Sequence, residues 1–177
     1  NPHEYVRRLR IENERNELVR LDPLWFEQQQ WFNALCTRQN CLGLKPRQVG
    51  FTTTSAAFLS WKTYTSRHPR RVLQMVHERG SMIRMAHMMR VFLRGLPPEL
   101  RSTPLVDNLD QLVFGHNGAS FNRLLAGGSG QARSWTYNDL HATEMAKWRR
   151  RTASNSSEDG ESTEEEIEKV EEDGRIG

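Results

Sequence analysis

The chain is expected to be an α/β protein: a mainly parallel sheet flanked by helices, with ligands taken at the carboxyl ends of the strands. Three observations predict this. Short apolar runs, Cys41–Leu44 and Val72–Val76, are each followed by a stretch with helical periodicity. A His-Asn-Gly sequence at 116–118 stands between two apolar runs, which is a hairpin signal. A further strand is expected in "TYNDLHATEMAKW", ending in polar residues. The 177 residues suffice for one domain with a core.

In order, residues 1–20 are charged and favour helix, so they are expected to form an outer helical arm. Residues 21–151 form the main domain. Within it, Asp22 is a fair N-cap and Pro23 suits a first helical position. Trp31, Phe32 and Leu35 then recur on one helix face. "CLGL" reads as a short buried strand, followed by the loop "KPRQVG" and the helix "TTSAAFLSWKTYTS". After the second strand comes a helix with Ile83, Met85, Met88, Met89, Phe92 and Leu93 on a broad apolar face. That stripe is read as core packing. A Gly/Ser loop, "GGSGQARSW", precedes the last strand. Asp139 is expected to sit mid-strand and face the surface, and His141 to be packed.

Charge divides the chain. Residues 152–177 hold ten carboxylates and two cations, a net charge of −8, whereas the rest holds 23 cations and 12 carboxylates, a net of +11. A basic body with an acidic tail suits a polyanionic partner. Cys36 and Cys41 are too few for a disulfide framework and lack metal-ligand spacing, so free thiols in a reducing compartment are expected. No apolar run approaches membrane-spanning length, and the start of the sequence lacks a secretory pattern.

The loop at 45–53 carries the chemistry. A phosphate cradle needs inward backbone N–H groups, a close-approach glycine, and a helix N-terminus aimed at the anion. Gly50 supplies the close approach, Gln48 lies in the loop, and Thr52 and Thr53 offer hydroxyls to Mg²⁺. The usual lysine before the threonines is absent, since Phe51 stands there. Lys45 at the front of the loop and Arg47 within it are the available cations. Taken alone, these residues fit a polar strand-to-helix turn as well as a nucleotide site. Downstream, Thr143-Glu144 closes a strand. Glu144 there is placed to orient or deprotonate an attacking water, and Thr143 stands where an Asp usually contacts Mg²⁺ through water. Asp139 is a rival for the acidic role.

With these motifs together, the chain resembles the large terminase subunit, the viral DNA-packaging motor, over roughly Leu21 to Arg149. "LKPRQVGFTT" is similar to that family's deviant Walker A, in which the lysine moves to the front of the loop. "LHATEMAKW" resembles its Walker B, with Thr143 in place of the usual Asp. The resemblance implies a P-loop NTPase fold of the ASCE/RecA-like kind and ATP hydrolysis with Mg²⁺. It implies Gln28 as the adenine contact, with Gln29 and Gln30 as register alternatives, and Arg133 as a trans-acting finger. It implies Lys45 and Arg47 on the γ-phosphate. The implied partners are double-stranded DNA, a small terminase subunit, a procapsid portal protein and further copies in a ring, in the cytoplasm of an infected host cell. The family's nuclease domain has no counterpart in this sequence. The competing expectation is a degenerate, non-hydrolysing module that binds DNA or protein.

Overall fold

A computed structural model describes residues 1–13, 15–38, 40–44, 49–127 and 135–148. It is a mixed α/β structure. Helix α1 (Pro2–Arg8) leads into a hairpin, β1 (Arg10–Glu12) and β2 (Leu18–Arg20). Helices α2 (Phe26–Thr37) and α3 (Phe51–Tyr64) follow, then β3 (Arg71–Val76) and α4 (Arg79–Gly95). Strands β4 (Pro104–Asp107), β5 (Gln111–Phe114), β6 (Ser120–Leu125) and β7 (Asp139–Ala142) complete the main sheet.

That sheet has five strands in the order β4-β5-β6-β3-β7. β3 pairs in parallel with both β6 and β7, while β4-β5 and β5-β6 are antiparallel. The sheet is therefore mixed, with the expected parallel part confined to β6, β3 and β7. The antiparallel β5-β6 pair arises from the Asn117-Gly118 turn, where Gly118 has φ +67°. Asn117 Nδ2 fastens that turn to the end of α3 by donating to the carbonyls of Thr63, Tyr64 and Ser66.

The core joins helices to one face of the sheet. On β3, Val72 and Val76 are fully buried and, with Phe121 of β6, face the same way. Against them lie Ala56 and Ala57 of α3 and Met82, Met85, Met89 and Phe92 of α4. The α4 positions fall at helical spacing, so one stripe meets the core. Ile83, expected in that stripe, is 52% exposed, and Met82, one position earlier, is buried instead. Helix α4 ends at Gly95, just before Pro97 and Pro98, which cannot continue a helix.

Residues 1–20 depart from the expected outer helix. Only Pro2–Arg8 is helical, and Val6 and Leu9 are buried in the shared core. The alternation of Arg10, Ile11 and Glu12 suits a half-buried strand, and β1 packs against α4.

Candidate functional site

Helix α2 begins at Phe26 rather than after Asp22, because Gln28 caps it from within. The Gln28 Oε1 accepts from the Trp25 N–H at 3.2 Å, as in a capping box. The same side chain reaches the loop, where Nε2 donates to the Val49 carbonyl at 3.2 Å. A Cβ at position 50 would collide with that Nε2. Gln28 thus lies against the close-approach glycine, with both ends of its amide engaged.

Gly50 precedes α3 in the left-handed conformation, φ +72° and ψ 12°. Its carbonyl accepts from the Thr54 N–H and from Thr54 Oγ1. The N-cap residue has no side chain to satisfy the first N–H groups of the helix, and among the described residues no side chain caps them. Among the described residues no hydrogen bond engages the Thr52 or Thr53 hydroxyl.

Phe51 has a structural task. Its ring stacks on Trp31 with centroids 5.1 Å apart and planes 5° apart. Trp31 Nε1 donates to Ser55 Oγ at 2.8 Å, so the pair locks α2 to α3. Position 51 is thus packed into an aromatic clasp. Lys45, Arg47, Gln48 and Arg133 lie outside the described residues.

The segment Cys41–Leu44 does not form the expected buried strand. No strand pairs with it among the described residues, and Leu42 and Leu44 are 75% and 94% exposed. An apolar run becomes a buried strand only where a neighbouring strand accepts its ladder. β7 is at an edge of the described sheet.

Helix α3 is anchored by its C-terminus at the amino ends of the parallel strands. There Lys62 pairs with Asp139 at the start of β7, and Asn117 holds Thr63. The helix packs on β3, so its N-terminus is carried toward the carboxyl ends of the strands. Glu144 is at that end, just past β7, and it too has a left-handed backbone, φ 51° and ψ 42°. A glutamate in this conformation is strained, and such strain concentrates at functional sites. Its Oε2 lies 3.2 Å from His77 Nδ1 and 2.7 Å from Lys147 Nζ. His77 directly follows β3, and its Nε2 is 3.6 Å from Glu78 Oε2. Arg84 binds Glu78 and, with Ser81, holds that carboxyl below its ordinary range. The sequence reading missed His77, although it is the first residue beyond a strand whose carboxyl end borders the site.

Thr143 is committed elsewhere. Its N–H and its hydroxyl both donate to the Met75 carbonyl, at 3.0 and 3.4 Å, extending the β3-β7 ladder. The hydroxyl donates its proton there, and its oxygen lone pairs are not used by that bond. Asp139, expected at the surface mid-strand, begins β7 with only 11% of its side chain exposed. Burial alone would raise its pKa, but hydrogen bonds from Arg70 and Lys62 hold the carboxyl below its usual range. Asp139 is a structural ion-pair centre at the opposite end of β7 from Glu144. His141 packs as expected, since its Nδ1 is buried without a hydrogen bond and burial lowers its pKa to about 4. Among the described residues no three His, Cys, Asp or Glu side chains are arranged to hold a metal ion, and no helix is long and apolar enough to cross a membrane.

The fold and site thus belong to a mixed α/β protein with a helix N-terminus that no described side chain caps and a strained glutamate at the carboxyl side of its parallel strands. Compared with known proteins, the chain matches no family model and no curated sequence.

Proposed function

We propose that this chain is a P-loop nucleotide-binding domain of the ASCE/RecA-like kind that hydrolyses ATP, of the sort that powers DNA packaging in large terminases. The observation that carries the reading is the left-handed Gly50 opening the N-terminus of α3, which no side chain caps among the described residues, with Gln28 seated against it. Helix dipole and free N–H groups together favour a phosphate there. Glu144, strained at the carboxyl end of β7, fits the water-orienting carboxylate. Lys45 and Arg47, in the loop just before Gly50, are the cations for the γ-phosphate. Arg133 serves as a finger for a neighbouring copy.

Thr52 fits a magnesium ion, because its hydroxyl is at the helix start and unengaged among the described residues. Thr143 donates its hydroxyl proton to Met75, and its oxygen lone pairs would face the ion through water. When bound, Mg²⁺ would neutralise charge on the nucleotide's phosphates. The chain's own residues bind and orient: the α3 N–H groups hold phosphate, and Glu144 accepts a proton from water at its carboxylate. Lys147 restrains that carboxylate, and His77 lies beside it. In this reading DNA, a small terminase subunit, a portal protein and further copies of the chain are the partners.

Replacing Glu144 by Gln tests the assignment. The variant should bind ATP as the wild type does, while turnover falls by about 10²–10⁴-fold. Turnover at the wild-type rate would remove Glu144 from the mechanism. Phe51 in place of a lysine and Thr143 in place of an aspartate favour a second reading, a nucleotide-binding domain that does not hydrolyse. ATP binding with no turnover in the wild type, at any protein concentration, would select it.

A further inference from the structure

Away from the α3 loop, six arginines drawn from separate parts of the chain line one open cleft of about 560 Å³. Arg7 and Arg8 come from α1, Arg10 from β1, Arg20 from β2, Arg94 from α4, and Arg101 from the turn after it. One carboxylate, Glu4, shares the cleft and is bound by Arg8 at 3.0 Å. Arg7, Arg10 and Arg20 have no carboxylate partner among the described residues. Arg10 and Arg20 are also directly opposed across the β1-β2 ladder, both exposed. Like charges in that relation repel and weaken a hairpin, and an anion between them removes the repulsion.

The lining is not purely ionic. Leu18, 53% exposed, belongs to it, and so do Pro97 and Pro98. An occupant that matches this lining carries closely spaced anions and aliphatic side chains together. A carboxylate-rich peptide has both, whereas a chain of phosphates brings no aliphatic side chain to Leu18.

The protein carries such a segment. Residues 158–173 hold ten carboxylates and one cation, Lys169, with Ile167 and Val170 among them. Their attachment gives them an advantage over any free polyanion. Trp148 is held just past the carboxyl end of β7, where its Nε1 donates to the Thr143 carbonyl. Helix α4 starts at that end of the sheet, after β3, and its 17 residues run about 25 Å to the cleft. Ile167 stands 19 residues beyond Trp148. A chain of that length spans up to about 60 Å when extended, so the reach is ample. A tethered segment meets its site at an effective concentration on the order of millimolar.

We propose that residues 158–173 dock in the arginine cleft of their own chain and close it to other anions. Guanidinium forks take carboxylates bidentately, and every cation in the cleft is an arginine. Glutamates of the segment lie between Arg10 and Arg20, and Ile167 and Val170 cover Leu18 and the prolines. The proposal is independent of the nucleotide reading.

The test is amide-resolved NMR of the full chain at low and high salt, followed by titration with inorganic polyphosphate. In Arg10→Ala/Arg20→Ala at low salt, the amides of residues 164–172 should move to their wild-type positions at high salt. The β3 amides should stay in place, which separates a lost contact from a lost fold. From the other side, Ile167→Ser/Val170→Ser should shift the amides of Arg10, Leu18 and Arg20. Replacing Glu164, Glu165, Glu166 and Glu168 by Gln should tighten polyphosphate binding about two-fold or more, because a competitor at millimolar effective concentration is gone. That gain should vanish when Arg10 and Arg20 are also replaced by Ala. Identical shifts of residues 164–172 in wild type and the arginine variant would overturn the proposal. So would equal polyphosphate affinity with and without the four glutamates. Shifts of the segment that depend on protein concentration would assign the contact to a neighbouring copy and overturn docking within one chain.

Discussion

Substituting Gly50 by alanine probes the contact on which the loop geometry depends. Two costs follow from the structure. At φ +72° an L-residue is strained by about 1–2 kcal/mol. The new methyl group also displaces Gln28, which then gives up its bonds to the Trp25 N–H and the Val49 carbonyl. One of these bonds is exposed and the other part-buried, worth about 0.5–1 kcal/mol each, so the total is about 3 kcal/mol. For a chain of this size that lowers the thermal midpoint by about 6–12 °C. The assay is thermal or urea unfolding of four proteins: wild type, Gly50→Ala, Gln28→Ala and the double variant. In the Gln28→Ala background only the backbone strain remains, so the two substitutions should couple by about 1–1.5 kcal/mol. Equal cost of Gly50→Ala in both backgrounds would refute the seating of Gln28 on the loop.

Two pH effects on stability have separate windows. His141 has a folded pKa lowered to about 4 by burial, against about 6.5 unfolded. Its contribution is complete above the unfolded value and is lost as pH falls from about 6.5 to about 4, by up to about 3 kcal/mol. His141→Gln should flatten that limb in urea unfolding. Asp139 is also lowered, so its contribution holds above the unfolded carboxylate value and is lost only as pH falls further, through the folded pKa. Asp139→Asn should cost about 1–2 kcal/mol at neutral pH and remove the more acidic limb.

The parts of this fold legible in the sequence are those whose pattern is local. The α4 stripe, the β3 run and the Asn117-Gly118 turn each follow from spacing or turn chemistry over a few residues. What was not legible depends on partners distant in sequence. Cys41–Leu44 is apolar enough for a strand, yet nothing described pairs with it. Asp139 looked like a surface residue because its two cations, Lys62 and Arg70, lie about seventy residues earlier. Residues 10–20 carried helix-favouring charges, and the hairpin there is decided by packing of β1 on α4.

The site divides in the same way. Gly50 and the α3 start were readable from the glycine before a Thr-rich helix, and Glu144 from its place after an apolar run. The role of Phe51 was not, because its partner Trp31 belongs to another helix. That clasp gives Phe51 a structural role: the position holds α2 against α3. Thr143 likewise looked free in sequence and is bound to Met75 across the ladder.

The most direct test of the central claim is the thermal shift of the full chain with Mg²⁺ and, in turn, ATP, ADP and AMP. If the N-terminus of α3 cradles the outer phosphates, ATP at a hundred times its Kd should stabilise the fold by about 2.7 kcal/mol. ADP should stabilise it, AMP should not, and Thr52→Val should reduce the ATP shift. No shift with ATP, or an equal shift with AMP, would contradict a phosphate site at Gly50.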